Sequence, residues 1–235
     1  PFVKAGLPGV FVTPDVTPYK KRKVRILNGA HTAFVPGSWV AGFDIVRDCM
    51  HDETVRGFMN TMLYDEVIPT LAADLDVEDC KAFAAAVENR FDNPFIDHAL
   101  LSICLNSTAK WRARDLPTLK DYVAETGNLP KCLATSLATL IAFYTQELVA
   151  REGDGLHLRR ADGTEYTAQD DAFVLDFYAA HAGTDDAELV HDVLTNEQMW
   201  GEDLTKIAGL EEFVVSTLAV VRVEGAKQAF ANAQA

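Results

Sequence analysis

The spacing of the apolar residues constrains this chain most, because from about residue 32 onward it follows a helical period. Phe83, Val87 and Phe91 recur at intervals of four, and Ile96, Leu100 and Ile103 continue at +4 and +7. Leu133, Leu137, Leu140, Ile141, Tyr144 and Leu148 trace one stripe, and Val214, Leu218 and Val221 trace another. Such stripes bury one face of a helix and leave the other wet. Helix-start residues accompany them: Asp76 before Val77, Pro117 behind Asp115 and Leu116, Thr167 before Asp170, and Thr184 before Asp185. The pattern predicts an all-α, multi-helix fold with one exception. Between Leu156 and Tyr166 an Asp162-Gly163 turn separates two short segments, which predicts a small β-hairpin over 156–166. The first 20 residues, rich in proline (Pro1, Pro8, Pro14, Pro18), read as an extended lead-in.

A chain of 235 residues can bury one large core, and no linker or repeat divides it, so residues 1–235 read as a single domain. Hydrophobic residues at 49% and charged residues at 24% exclude a disordered or low-complexity chain. No apolar run approaches the roughly 20 residues of a membrane span, so no membrane partner is expected. Cys49, Cys80, Cys104 and Cys132 form no CxxC pair and have no flanking histidine pair, which argues against a metal site. They read as buried thiols of a cytoplasmic protein. A start at Pro1, without Met or signal peptide, is read as a chain cut from something longer upstream.

The net charge of −14 disfavours nucleic acid as a partner, since that binding relies on basic surface. The charge is divided: residues 1–31 carry six basic residues against one acid, whereas residues 151–235 carry six against seventeen. The basic head reads either as a solvated face or as a receiver of anions. Neither GxGxxG nor GxxxxGK[ST] occurs, so a dinucleotide would have to be held by another domain.

The densest polar chemistry lies in Lys23-Val24-Arg25-Ile26-Leu27-Asn28-Gly29-Ala30-His31. On an α-helix of about 100° per residue, Asn28 and His31 fall about 60° apart and Lys23 about 80° from His31. All three can face one cleft, and Gly29 marks a position of close backbone approach. A lysine crowded by Lys21, Arg22 and Arg25 is expected to have a lowered pKa and to serve as acid or base. Asn and His supply donors for a carbonyl oxygen on which negative charge develops. Read from the residues alone, the trio serves equally as satisfied polar groups on a helix.

This stretch resembles the K-x4-N-x2-H signature of the long-chain, metal-independent mannitol dehydrogenase family. Arg90-Phe91-Asp92-Asn93-Pro94, Ser107-Thr108-Ala109-Lys110 and Trp200-Gly201-Glu202-Asp203-Leu204 follow in order and extend the likeness over nearly the whole chain. Within the family the wording looks most like the branch that interconverts tagaturonate and altronate. The resemblance implies a helical C-terminal catalytic domain that works with an N-terminal Rossmann domain, absent from this chain, which binds NAD(H). It implies Lys23 as general acid and base, Asn28 and His31 as groups that polarise the reacting oxygen, Lys110 as a substrate contact, and no metal. Two departures follow: Ser102 stands where polyol-type members carry an arginine, and Lys20 where the family has an acid. For a sugar-acid substrate Arg25, Lys20 and Lys110 are the candidate carboxylate ligands by charge. Fructuronate reduction and polyol oxidation are the alternatives within the family. A helical interaction domain without catalysis is the alternative outside it.

Overall fold

A computed structural model describes residues 12–235, and the first helical rod in it runs without a break through three segments. These are α1 (Thr17–Arg22), a π-helical turn (Lys23–Asn28) and α2 (Gly29–Val40). Pro18 sits in the first turn of α1, where its missing N–H costs no hydrogen bond. The extended lead-in predicted for the first 20 residues therefore gives way to helix at Thr17, and its residues 1–11 lie outside the described ones.

The chain continues through α3 (Val46–His51), α4 (Glu53–Thr61), a second π turn (Met62–Val67) and α5 (Val77–Phe91). Next come α6 (Leu100–Ile103), α7 (Ser107–Arg114), α8 (Leu116–Thr126) and α9 (Lys131–Tyr144). Strands β1 (Glu147–Glu152), β2 (Gly155–Arg159) and β3 (Glu165–Ala168) interrupt the helices. The chain then closes with α10 (Ala172–Ala180), α11 (Asp186–Leu194), α12 (Glu197–Trp200), α13 (Leu210–Glu224) and α14 (Ala226–Ala233). No helix among the described residues is long and apolar enough to cross a membrane.

Helix α9 is the axis of the core. Every residue from Cys132 to Tyr144 is buried, as expected of a helix that is apolar all round. Helices α2, α13 and α14 pack around it. A Cβ on Gly37 would stand 2.9 Å from Thr139, so glycine there permits the close approach of α2 to α9. Trp111 donates from its indole nitrogen to Ser136 Oγ at 2.8 Å, which ties α7 to the same axis. Trp200 packs on Trp111 with ring centres 5.5 Å apart. Both rings are buried and act as packing. Pro130, ahead of α9, has no side-chain cap to offer, and Glu66 from the second π turn takes that role across the fold. Its two oxygens accept from Cys132 N at 2.7 Å and Leu133 N at 2.9 Å.

The strands form an antiparallel meander ordered β1-β2-β3. The hairpin expected over 156–166 is present as β2 and β3, with Leu158 opposite Tyr166. β1 adds a third, edge strand, bulged between Leu148 and Ala150. Thr167 lies inside β3 and starts no helix, and Ile96 lies outside any helix and is exposed, which corrects both expectations. Asp76 does cap α5, accepting from Asp79 N at 2.9 Å, and Asp185, in place of Thr184, caps α11. Arg160 fastens the sheet to the helices by donating to Trp39 O at 3.2 Å while its guanidinium lies 4.3 Å from the Trp39 ring centre.

Candidate active site

The Lys23–Asn28 turn is where the structure departs most from a plain α-helical reading. Gly29 N–H reaches back to Val24 O, five residues earlier, so the turn closes on i→i+5 bonds. Residues five apart then stand about one turn apart, which stacks Lys23 and Asn28 in place of the wide offset an α-helix would give. Asn28 and His31, three apart, lie across the start of α2 as the sequence suggests.

The three side chains sit at different depths. Lys23 is exposed, and Asn28 is half-buried with a side-chain amide that makes no hydrogen bond among the described residues. His31 stacks on Phe91 with ring centres 4.0 Å apart and meets His98 edge-on at 5.5 Å. Burial first, and then the positive field of His98, Arg114, Arg90 and Lys110, lowers the His31 pKa from 6.5 to about 3. The imidazole is therefore neutral at physiological pH and keeps one N–H to donate. Its Nε2 is buried without a hydrogen-bond partner.

Gly29 lies against Asp115: a Cβ there would stand 2.8 Å from Asp115 Oδ1. The Asp115 carboxyl is buried, which pushes its pKa well up, and its Oδ2 has no hydrogen-bond partner. The neighbouring Arg114 donates to Thr32 Oγ1 at 2.9 Å and to Asn28 O at 3.4 Å, which holds the helix start from outside.

The crowding expected around Lys23 is offset by folding. Lys21 pairs with Asp74 at 2.5 Å, Arg22 with Asp79 at 3.8 Å and Arg25 with Asp121 at 3.1 Å. Arg25 is buried and also donates to Thr118 Oγ1 at 2.6 Å, so its guanidinium is committed to α8. The acid that holds it lies far downstream in the sequence. Lys20 is exposed. Lys110 is half-buried and donates to Ile103 O at 2.9 Å, which leaves two of its three donors for another group.

His31 opens onto a cavity of about 300 Å³ walled also by Leu27, Arg90, Phe91, Ile96 and His98. Arg90 and His98 were not singled out by the sequence reading. Arg90 belongs to a quoted motif, but nothing in its spacing gives it a role, and His98 carries no helical or metal-binding context. Among the described residues no three His, Cys, Asp or Glu gather where a metal ion could be held. Among the described residues the sheet is three-stranded and antiparallel.

Comparison with known proteins gives this geometry a family. The mannitol dehydrogenase C-terminal domain profile matches residues 15–221. An altronate oxidoreductase of Enterobacter sp. (strain 638) is 42% identical over 226 residues, covering 94% of this chain and 44% of that protein. One from Yersinia enterocolitica is 40% identical over 228 residues, with the same coverage. The fold matches Pseudomonas fluorescens mannitol 2-dehydrogenase, solved with NAD and D-mannitol, at a TM-score of 0.79 and 22% identity. That match covers 96% of this chain and 42% of the other. A substrate-free D-sorbitol dehydrogenase matches at 0.75, with 19% identity, over 94% of this chain and 42% of its own. The chain spans less than half the length of these relatives, and it belongs to the mannitol dehydrogenase C-terminal domain family.

Proposed function

We propose that this chain is the substrate-binding and catalytic half of an NAD-dependent oxidoreductase that interconverts tagaturonate and altronate. The observation that carries this reading is a neutral imidazole, His31, beside a free amide, Asn28, on a helix whose π turn stacks Lys23 above them. The likeness to altronate oxidoreductases supports the choice of substrate. A Rossmann domain outside these residues would hold NAD(H), whose nicotinamide supplies or accepts the hydride. The reaction belongs to the cytoplasm, consistent with four cysteines that remain free thiols.

In ketone reduction, Lys23 hands a proton to the carbonyl oxygen; in alcohol oxidation it takes the proton back. Asn28 and His31 donate to the same oxygen as negative charge builds on it, and the two donors need no metal to do so. Lys110 turns its remaining donors toward the sugar acid. Lys23→Ala in the full-length enzyme is expected to lower kcat by about 10²- to 10⁴-fold while NADH still binds. NADH fluorescence titration and steady-state turnover measure the two effects, and unchanged turnover would overturn the assignment.

A further inference from the structure

A π turn interrupts the rod from Thr17 to Val40, and nothing in a helix's own bonding fixes where along a rod such a turn falls. The two ends of the rod are anchored. Lys21 on Asp74 holds α1, as does Arg22, whose guanidinium lies 4.7 Å from the Phe83 ring centre. At the other end α2 is held where Gly37 meets Thr139 of α9. Between these anchors only one placement of the turn stacks Lys23 with Asn28. Helix α8 supplies the contacts that select it. Asp115, at its start, Thr118 and Asp121 are spaced three apart and share one face. Arg25 binds two of them, Thr118 Oγ1 at 2.6 Å and Asp121 at 3.1 Å, and Gly29 abuts the third. A Cβ on Gly29 would stand 2.8 Å from Asp115 Oδ1 and 3.6 Å from Val24 O, the acceptor that closes the turn.

Packing alone would not put an acid at that contact. Asp115 is 1% exposed, and its Oδ2 meets no hydrogen-bond partner. Arg25 and Arg114 stand near it, yet the bonds they make go to Thr118, Asp121, Thr32 and Asn28 O. A buried acid oxygen that receives no bond is destabilising. Groups of this kind persist where function needs them. We infer that Asp115 is a positioning residue for the reaction: it fills the space beside Gly29 and so fixes where the π turn falls, which keeps Lys23 and Asn28 in one stack. The inference rests on the proposed function for the chemistry and adds the group that sets the geometry of that lysine and that amide. The shape of the Asp115 side chain is what acts on the turn. A neutral side chain of the same shape should therefore serve, whereas a small one should let the turn move along the rod.

The test compares full-length wild type, Asp115→Asn and Asp115→Ala. In urea denaturation Asp115→Ala should be no less stable than wild type, since it removes a buried acid with an unmet oxygen. With tagaturonate and NADH its kcat should fall about ten- to a hundred-fold, as misplaced reacting groups require, while the Kd for NADH stays unchanged. Asp115→Asn, close to the acid in volume, should keep kcat within about threefold of wild type. A crystal structure of Asp115→Ala should show the Gly29 N–H bond to Val24 O exchanged for another acceptor. A variant that is as stable as wild type and less active is an outcome that a merely structural acid does not give. Wild-type kcat in Asp115→Ala, a loss of stability in step with activity, or an equal loss in Asp115→Asn would each overturn the role. So would an unmoved turn in the crystal structure, whatever the turnover. Absence of tagaturonate turnover by the wild type would instead bring down the proposed function, and the crystal structure would still decide whether Asp115 places the turn.

Discussion

Glycine at position 29 decides how the reactive helix sits on its support. With a Cβ only 2.8 Å from a buried carboxylate oxygen, Gly29→Ala forces either the helix or Asp115 to move. Alanine would gain up to about 1 kcal/mol of helix propensity, while overpacking costs about 1–3 kcal/mol, so the variant should be the less stable protein. In an Asp115→Ala background the same change should become neutral or stabilising. Urea denaturation of the four proteins of this cycle measures the coupling. The sequence reading flagged Gly29 as a close approach, but it could not name Asp115, which arrives from another helix.

His31 makes a prediction of its own. Its folded pKa, lowered to about 3, lies below its ordinary 6.5, so the unfolded chain binds a proton that the folded one refuses. Stability from this group is present above about pH 6.5 and is lost as pH falls toward 3. Replacing His31 by Gln should flatten the acid side of the stability profile between pH 7 and 4.5, and the His31 ring signals of the native protein should not titrate in that range. Arg90 and His98 border the cavity beside His31 from opposite ends of a loop, and no period in the sequence links them.

At the level of elements, helices with continuous stripes are where the sequence was most legible. The stripe Val214, Leu218 and Val221 is the buried face of α13, and Leu133 to Tyr144 lies within α9, whereas Leu148, expected on the same stripe, falls in β1. The 156–166 hairpin was legible because an Asp-Gly turn has few other uses. β1 was not, since Glu147 to Glu152 is an exposed edge whose bulge breaks the alternation that would mark it. The π turn was also hidden, because a shift of hydrogen bonds from i→i+4 to i→i+5 leaves no residue signature.

The cap on α9 crosses between elements and can be tested as such. Burial pushes Glu66 up to about 7, against the pull of two backbone N–H groups that favour its charged form. A raised acid pKa means the folded state holds the proton longer, so this group's contribution falls as pH rises from about 4.5 to 7, opposite in sign to His31. Glu66→Gln should remove that slope while keeping an acceptor. Glu66→Ala should cost about 1–3 kcal/mol by leaving two buried donors unmet, read from the shift in urea midpoint.

For the whole molecule, charge counted along the chain and charge placed by folding differ. The net charge is −14, but the basic head does not stand free once the chain is folded. Acids at 74, 79 and 121 lie against Lys21, Arg22 and Arg25, and neutralise much of the head. The positive field near His31 comes from Arg90, Lys110 and Arg114, all from the middle of the chain. The chain's span of under half its relatives carries a direct expectation. Residues 1–235 alone should not oxidise NADH in the presence of tagaturonate, since nothing among the described residues builds a dinucleotide site; a spectrophotometric assay at 340 nm decides it.

The helical rod from Thr17 to Val40 holds one residue more than its length requires, because a π turn accommodates an extra amino acid without turning the helix beyond it out of phase. Removing a single residue from an ordinary helix would rotate everything downstream by about 100° and tear α2 from the core. Here such a deletion between Val24 and Leu27 should relax the rod to a regular α-helix, with Gly37 still against Thr139. The shortened protein should therefore fold and melt cooperatively. Lys23 and Asn28, to which the proposed function gives the chemistry, would be carried on a narrower turn, so turnover is the property expected to be lost. That separates a residue the architecture can spare from one the chemistry cannot.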